Sequence, residues 1–277
     1  MFAFSKFVLL ATAVAGLQMV GTSAQSISSQ CQATLAGIVS SSDASCLNAQ
    51  NLVGLVLSSG SNASIVPTLN TWLTGLCAKP ACSNDTLSTI VQNVTSGCQS
   101  DLNSLGLSGI DASQLSALVQ TAYPTVRSAL CLADSKQNNQ LCVIEYLDSV
   151  QPYTGNLTLA NIEAIGSNLA DSSSAPSIPA NVTCTDCVKG VYSVLNSGLG
   201  SFLPSTIGSS LQSTCGASFT DGSTPSDVAQ LASGASSASS STTVTPNGAV
   251  PALSFAPIVG VAASVLVAAV SALFVLA

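Results

Sequence analysis

Residues 76–102 read LCAKPACSNDTLSTIVQNVTSGCQSDL, and the spacing inside this stretch decides the class of fold. Leu87, Ile90, Val91 and Val94 recur in steps of three and four, which puts them on one face of a helix rather than alternating across a strand. Ser83 or Asn84 can cap such a helix, Gly97 can end it, and a cysteine stands just outside each end. The same steps recur at Ile65, Leu69, Leu73 and Leu76; at Leu115, Leu118, Val119, Ala122, Val126 and Leu130; at Leu159, Ile162 and Leu169; and at Val188, Val191, Leu195 and Leu199. Asp111-Ala-Ser-Gln114 resembles a capping box before the third of these helices, and Pro124 is expected to kink or break it. Strand signals are sparse. The sequence therefore predicts a mainly α fold, a disulfide-stapled bundle of short helices burying apolar stripes against one another.

The two ends read as processing segments. Lys6 precedes an apolar stretch from Phe7 to Leu17, and Thr22, Ser23 and Ala24 are small, which predicts a signal peptide at 1–24 cleaved after Ala24. The apolar core is shorter than the ~20 residues a membrane span needs. Ile258 to Ala277 carries no charge, and no Lys or Arg follows the apolar run as after a stop-transfer helix. Asn247-Gly248-Ala249 are three small residues followed by a spacer from Val250 to Pro257, the order of a glycosylphosphatidylinositol (GPI) attachment signal. Residues 248–277 are thus read as an attachment propeptide with Asn247 as the anchored residue, and an uncleaved membrane helix is the alternative. In the precursor both terminal segments are expected to be helices.

Between these ends lies a cysteine-rich body at 25–220, long enough for one ordinary domain or two small ones. The stretch from Asp171 to Ala180, DSSSAPSIPA, reads as a loop that could subdivide it near 171–180. Residues 221–247 are rich in Ser and Thr and poor in large apolar side chains, which predicts a disordered, O-glycosylated stalk.

Composition narrows the function. Five Lys and Arg stand against twelve Asp and Glu, so no basic surface exists to neutralise phosphates and nucleic acid is excluded as a partner. With no histidine in the chain, Ser-His-Asp and Cys-His catalysis and imidazole zinc sites are unavailable. The ten cysteines, Cys31, Cys46, Cys77, Cys82, Cys98, Cys131, Cys142, Cys184, Cys187 and Cys215, read as five disulfides formed in an oxidising compartment. N-glycosylation sequons start at Asn62, Asn84, Asn93, Asn156 and Asn181. Glycans there would supply the solvated surface that 6% charged residues cannot.

Two constellations invite a chemical reading. Cys184-Thr-Asp-Cys187 is a C-x-x-C motif, but no βαβ pattern surrounds it, and the expected role is two half-cystines bonded elsewhere. A four-thiolate zinc site lacks its second C-x-x-C. Glu145 and Asp148 share a helical face as a glycosidase pair might, yet Trp72 is the one tryptophan available to stack sugars. A solvated acidic face is the expectation, with Arg127 and Lys136 as ion-pair partners for such acids. No catalytic, cofactor or metal residue is assigned, and no cofactor is expected.

From Cys31 to Cys131 the cysteines follow C-x14-C-x30-C-x4-C-x15-C-x32-C, with LCAKPAC at 76–82 and CQSDL at 98–102. This resembles the elicitin-like pattern of small, all-helical, sterol-holding secreted proteins. The short C-x4-C and the gap after it match, whereas the other gaps differ and Cys142, Cys184, Cys187 and Cys215 have no counterpart. The resemblance implies bridges Cys31–Cys98, Cys46–Cys82 and Cys77–Cys131 around an apolar centre, leaving Cys187–Cys215 and Cys142–Cys184 for the rest. The whole layout is also similar to that of fungal GPI-anchored cysteine-rich cell-surface proteins, for which no activity can be carried over. The expected function is a non-enzymatic surface or cell-wall glycoprotein held at the outer leaflet of the plasma membrane by a lipid anchor. A lipid- or sterol-binding module taking a small apolar ligand is the alternative, and a carboxylate-dependent enzyme acting on cell-wall glycan is a third reading.

Overall fold

A computed structural model describes residues 28–52, 63–104, 111–158, 161–162 and 178–234. The described residues form nine helices: α1 (Ser29–Ser40), α2 (Val66–Ala78), α3 (Asn84–Gly97), α4 (Gln99–Ser104), α5 (Ala112–Leu130), α6 (Cys142–Thr154), α7 (Ala180–Thr183), α8 (Asp186–Leu199) and α9 (Ser205–Cys215). Three short strands, β1 (Leu132–Asp134), β2 (Gln140–Leu141) and β3 (Val228–Gln230), make an antiparallel sheet in the order β2-β1-β3, with Ala133 opposite Leu141 on one side and Ala229 on the other. The fold is the disulfide-stapled helical bundle that the periodicity predicts.

Local chemistry sets the helix starts. Ser83 accepts a hydrogen bond from the Thr86 N–H at 3.1 Å, Asp111 from Ser113 at 2.9 Å, and Thr185 from Val188 at 3.3 Å. Each satisfies a donor that has no carbonyl partner in the first turn. The expected helices at 65–76, 87–94, 115–130 and 188–199 are α2, α3, α5 and α8. Most of the expected segment at 159–169 lies outside the described residues.

Pro124 does not break α5, which runs through it from Ala112 to Leu130. The helix is clasped between α3 and α8, burying Ala122, Arg127 and Ala129, and the Tyr123 hydroxyl accepts the Cys82 N–H at 3.0 Å. Burial on both sides of the proline offsets the hydrogen bond it cannot donate. The α5–α8 contact is close enough to require glycine: a Cβ on Gly198 would lie 2.2 Å from the Thr125 hydroxyl.

One apolar cluster runs from Val66 to Ala232 and draws on α2, α5, α6, α8 and the sheet, with Leu73, Ile144, Val150 and Leu195 all but inaccessible. No described residue of α1, α3 or α4 belongs to it. Those helices form an outer layer that packs on the rest chiefly where α3 lies against α5 and is stapled within itself by two disulfides. Cys31–Cys98 ties α1 to the end of α3, Cys46–Cys82 ties the turn after α1 to the residue before α3, and Cys77–Cys131 ties α2 to the end of α5. All three are the pairings that the elicitin-like resemblance implies.

The other four cysteines pair differently from the expectation. Cys142 bonds Cys187 and Cys184 bonds Cys215, in place of Cys142–Cys184 and Cys187–Cys215. The reason is rotational. Thr185 caps α8, so Cys187 sits in its first turn on the buried face that packs on α6, where Cys142 begins, while Cys184 stays outside the helix within reach of the end of α9.

The expected stalk also starts later than its composition suggests. Residues 221–234 belong to the folded body: Val228 and Ala232 are buried, and β3 pairs with β1. Beyond β3, Leu231 donates its N–H to the Cys131 carbonyl at 2.9 Å and Ser233 to the Cys77 carbonyl at 2.8 Å, so this strap crosses both halves of one disulfide. Backbone pairing on the edge of β1 orders a segment whose side chains look too polar to fold. Residues 235–247, Asn247 and the two terminal segments lie outside the described residues.

Candidate functional site: carboxylates against a disulfide

The C-x-x-C motif and Glu145, separate in sequence, meet at the start of α8. Glu145 lies one turn into α6, three residues after Cys142, so it shares Cys142's side of the helix and faces α8. Its Oε2 is 3.3 Å from the Cys187 sulfur. That sulfur is bonded to Cys142 and has no hydrogen, so a hydrogen bond across this gap needs the proton on the carboxyl. Desolvation pushes the Glu145 carboxyl up from its ordinary range, and the neighbouring negative charges of Asp134 and Asp186 push it further in the same direction. Asp134 comes from the end of β1, and one carboxylate oxygen each from Asp134 and Glu145 lies within 4.8 Å of the Cys187 sulfur and of the other.

As a metal site this cluster is poor, because its sulfur is engaged in a disulfide and two carboxylates remain. What it offers is a carboxyl of raised proton affinity next to a disulfide sulfur at a helix N-terminus, where backbone N–H groups favour negative charge.

The expected pair of Glu145 and Asp148 is not brought to one place. Asp148 is exposed and accepts from the side-chain amides of Gln140 at 3.2 Å and Gln151 at 3.3 Å. Arg127 is no partner for these acids either. It is 6% exposed, and its guanidinium donates to the carbonyls of Lys79, just past the end of α2, and of Ser233 in the strap. The negative end of α2 accommodates its charge. Lys136 pairs with Asp227, at the foot of β3. Trp72 donates its indole N–H to the Leu47 carbonyl at 2.8 Å and packs against the core, a structural role.

The asparagines of the four described sequons, Asn84, Asn93, Asn156 and Asn181, are all exposed. Asn62 lies outside the described residues. What sequence reasoning missed is the role of Asp134 and Asp186 beside Cys187; the CTDC motif was the available signal, but the approach of α6 that completes the cluster was not.

All ten cysteines are bonded, the pattern of a protein that matures in an oxidising compartment and consistent with an extracellular one. No described helix is long and apolar enough to cross a membrane. Compared with known proteins, the chain matches no family model, no curated protein and no solved structure.

Proposed function

We propose that this protein is an extracellular surface or cell-wall glycoprotein, held by a GPI anchor at the outer leaflet and without catalytic activity. The observation that carries the reading is the use of all ten cysteines in five disulfides. Four exposed sequon asparagines, the signal-peptide pattern at 1–24, the Ser/Thr-rich run before Asn247 and the Asn-Gly-Ala triplet support it. The layout resembles fungal GPI-anchored cysteine-rich surface proteins. Mass spectrometry of the mature protein tests this: it should begin at Gln25, carry N-glycans and end at an ethanolamine-linked Asn247. A native peptide ending in Ala277 would refute the anchor, and turnover of a cell-wall polysaccharide by the purified protein would refute the non-enzymatic reading.

A lipid- or sterol-binding module is the second reading, favoured by the interlaced Cys31–Cys98, Cys46–Cys82 and Cys77–Cys131 bridges. Saturable uptake of a fluorescent sterol would support it, and no uptake by correctly bridged protein would discard it.

A further inference from the structure

Of the five disulfides, Cys184–Cys215 alone has neither half-cystine among the buried residues; each of the other four has at least one. Cys184 is three residues before Cys187, whose own bridge to Cys142 is closed to solvent, with Cys142 1% and Cys187 2% exposed. The short helix α7, which leads into Cys184, packs on α6, which begins with Cys142. The bridge with no buried half-cystine and one with both halves buried are therefore neighbours in the chain, at Cys184 and Cys187, and the carboxyl of Glu145 stands 3.3 Å from the sulfur of Cys187.

We propose that these four cysteines form a thiol-exchange site, in which a small thiol or dithiol opens Cys184–Cys215 and the freed Cys184 then attacks Cys142, with Cys187 leaving and taking its proton from Glu145. With a dithiol the steps balance as follows. One thiolate of the reagent attacks the Cys215 sulfur, the Cys184–Cys215 bond breaks, and Cys184 leaves as a thiolate. The second thiol of the reagent displaces Cys215 and closes the oxidised, cyclic reagent. The Cys184 thiolate attacks the Cys142 sulfur, a Cys142–Cys184 bond forms, and the electrons of the old bond go to Cys187. Cys187 is the favoured leaving group because it lies in the first turn of α8, where backbone N–H groups stabilise a thiolate, and because the Glu145 carboxyl, a proton donor in its protonated form, is in contact with it. Glu145 then carries the charge, and a proton from water restores it. One disulfide is spent, and Cys187 and Cys215 end as thiols.

This site goes beyond the surface-glycoprotein reading and does not depend on it. The structure accounts for the choice of entry point by accessibility and for the direction of transfer by the position of Glu145. Removing the Cys184–Cys215 link frees the end of α9, which is otherwise fastened to the segment before α8, so exchange would loosen that helix and leave the core pairing at Cys77–Cys131 untouched.

The test is to treat native full-length mature protein with one equivalent of dithiothreitol, alkylate at successive times and map the peptides. The expected product carries label on Cys187 and Cys215 and contains a Cys142–Cys184 bridge. Label confined to Cys184 and Cys215 with Cys142–Cys187 intact overturns the proposal, as does a Cys184–Cys187 bridge. In Glu145→Gln the labelling of Cys215 should keep its rate, while Cys187 labelling should slow on the order of 100-fold, the lower range for a positioned proton donor. Equal Cys187 rates in the two proteins would remove Glu145 from the step.

Discussion

The outer layer of α1, α3 and α4 and the inner group of α2, α5, α6 and α8 are both helical and both disulfide-linked, but they rely on burial and on covalent linkage to different degrees. The inner helices share one apolar cluster, in which Leu73, Ile144 and Leu195 are each 2% exposed. In α1 the one buried residue is Cys31, and α4 has none. Beside the Cys31–Cys98 bridge, α1 meets α3 through small groups: a Cβ on Gly97 would lie 2.1 Å from the Thr34 hydroxyl. In α3 Leu87 and Val91 are buried, but α1 and α4 bury almost no hydrocarbon, so the hold on α1 rests chiefly on covalent linkage and that of the inner group on burial.

That distinction is sharpest where each force is removed. Leu195→Ala deletes buried hydrocarbon from the shared cluster and should lower the stability of the whole body by about 2–5 kcal/mol, read as a cooperative shift in denaturant midpoint. The double variant Cys31→Ala/Cys98→Ala removes a bridge closing 67 residues, which can also cost about 2–5 kcal/mol, but its effect should be local. Amide exchange across 29–40 should become fast while 142–150 stays protected. Uniform loss of protection in both variants would break the comparison.

A smaller effect is expected at Arg127, which joins the inner group to the strap. Arg127→Met keeps the aliphatic stem but leaves the Lys79 and Ser233 carbonyls without their donor, a loss of about 1–3 kcal/mol. Exchange of the Leu231 and Ser233 amides should rise first, because they bond across the Cys77–Cys131 bridge.

How much of this was legible in the sequence differs between the same two regions. In the outer layer the pattern sufficed for the helix, since Leu87, Ile90, Val91 and Val94 marked α3 and Ser83 marked its cap, while its two bridges, Cys31–Cys98 and Cys46–Cys82, were implied by the elicitin-like resemblance. The back of the molecule was harder to read, because its pairing depends on which face of α8 Cys187 occupies, and C-x-x-C spacing is silent on that. The strap was missed because strand pairing to β1 is a long-range event; Val228 and Ala232 sit in a run whose composition is that of a stalk. Arg127 was misassigned because its partners are backbone carbonyls, and a sequence advertises acids but not helix ends.

The acids also separate the regions by pH. Asp101, held below its ordinary value by the Ser28 hydroxyl and N–H, stabilises the start of α1, and this contribution is present above pH 3.8 and lost as pH falls through its depressed pKa. Asp221, held down to about 2 by Ser223 and Lys189, behaves alike. Glu145 has the opposite sign: its carboxyl is pushed above the ordinary 4.5, so its charged form is a cost at neutral pH that is relieved as pH falls through its raised pKa toward 4.5. Glu145→Gln should therefore raise the melting temperature at neutral pH, with the gain shrinking as the solution is acidified. A gain that grows on acidification would contradict the assignment. The smallest effect is expected for Asp227→Asn, since the Lys136 side chain is 65% exposed and solvent screens such a surface pair.

The central claim is that the body is a helical bundle whose sulfur links divide into an interlaced front set and a back quartet. Peptide mapping of the unreduced native protein tests it most directly. The account predicts Cys31–Cys98, Cys46–Cys82, Cys77–Cys131, Cys142–Cys187 and Cys184–Cys215 with no free thiol. A Cys77–Cys82 bridge, or Cys142–Cys184 together with Cys187–Cys215 in protein never exposed to thiol, would contradict it.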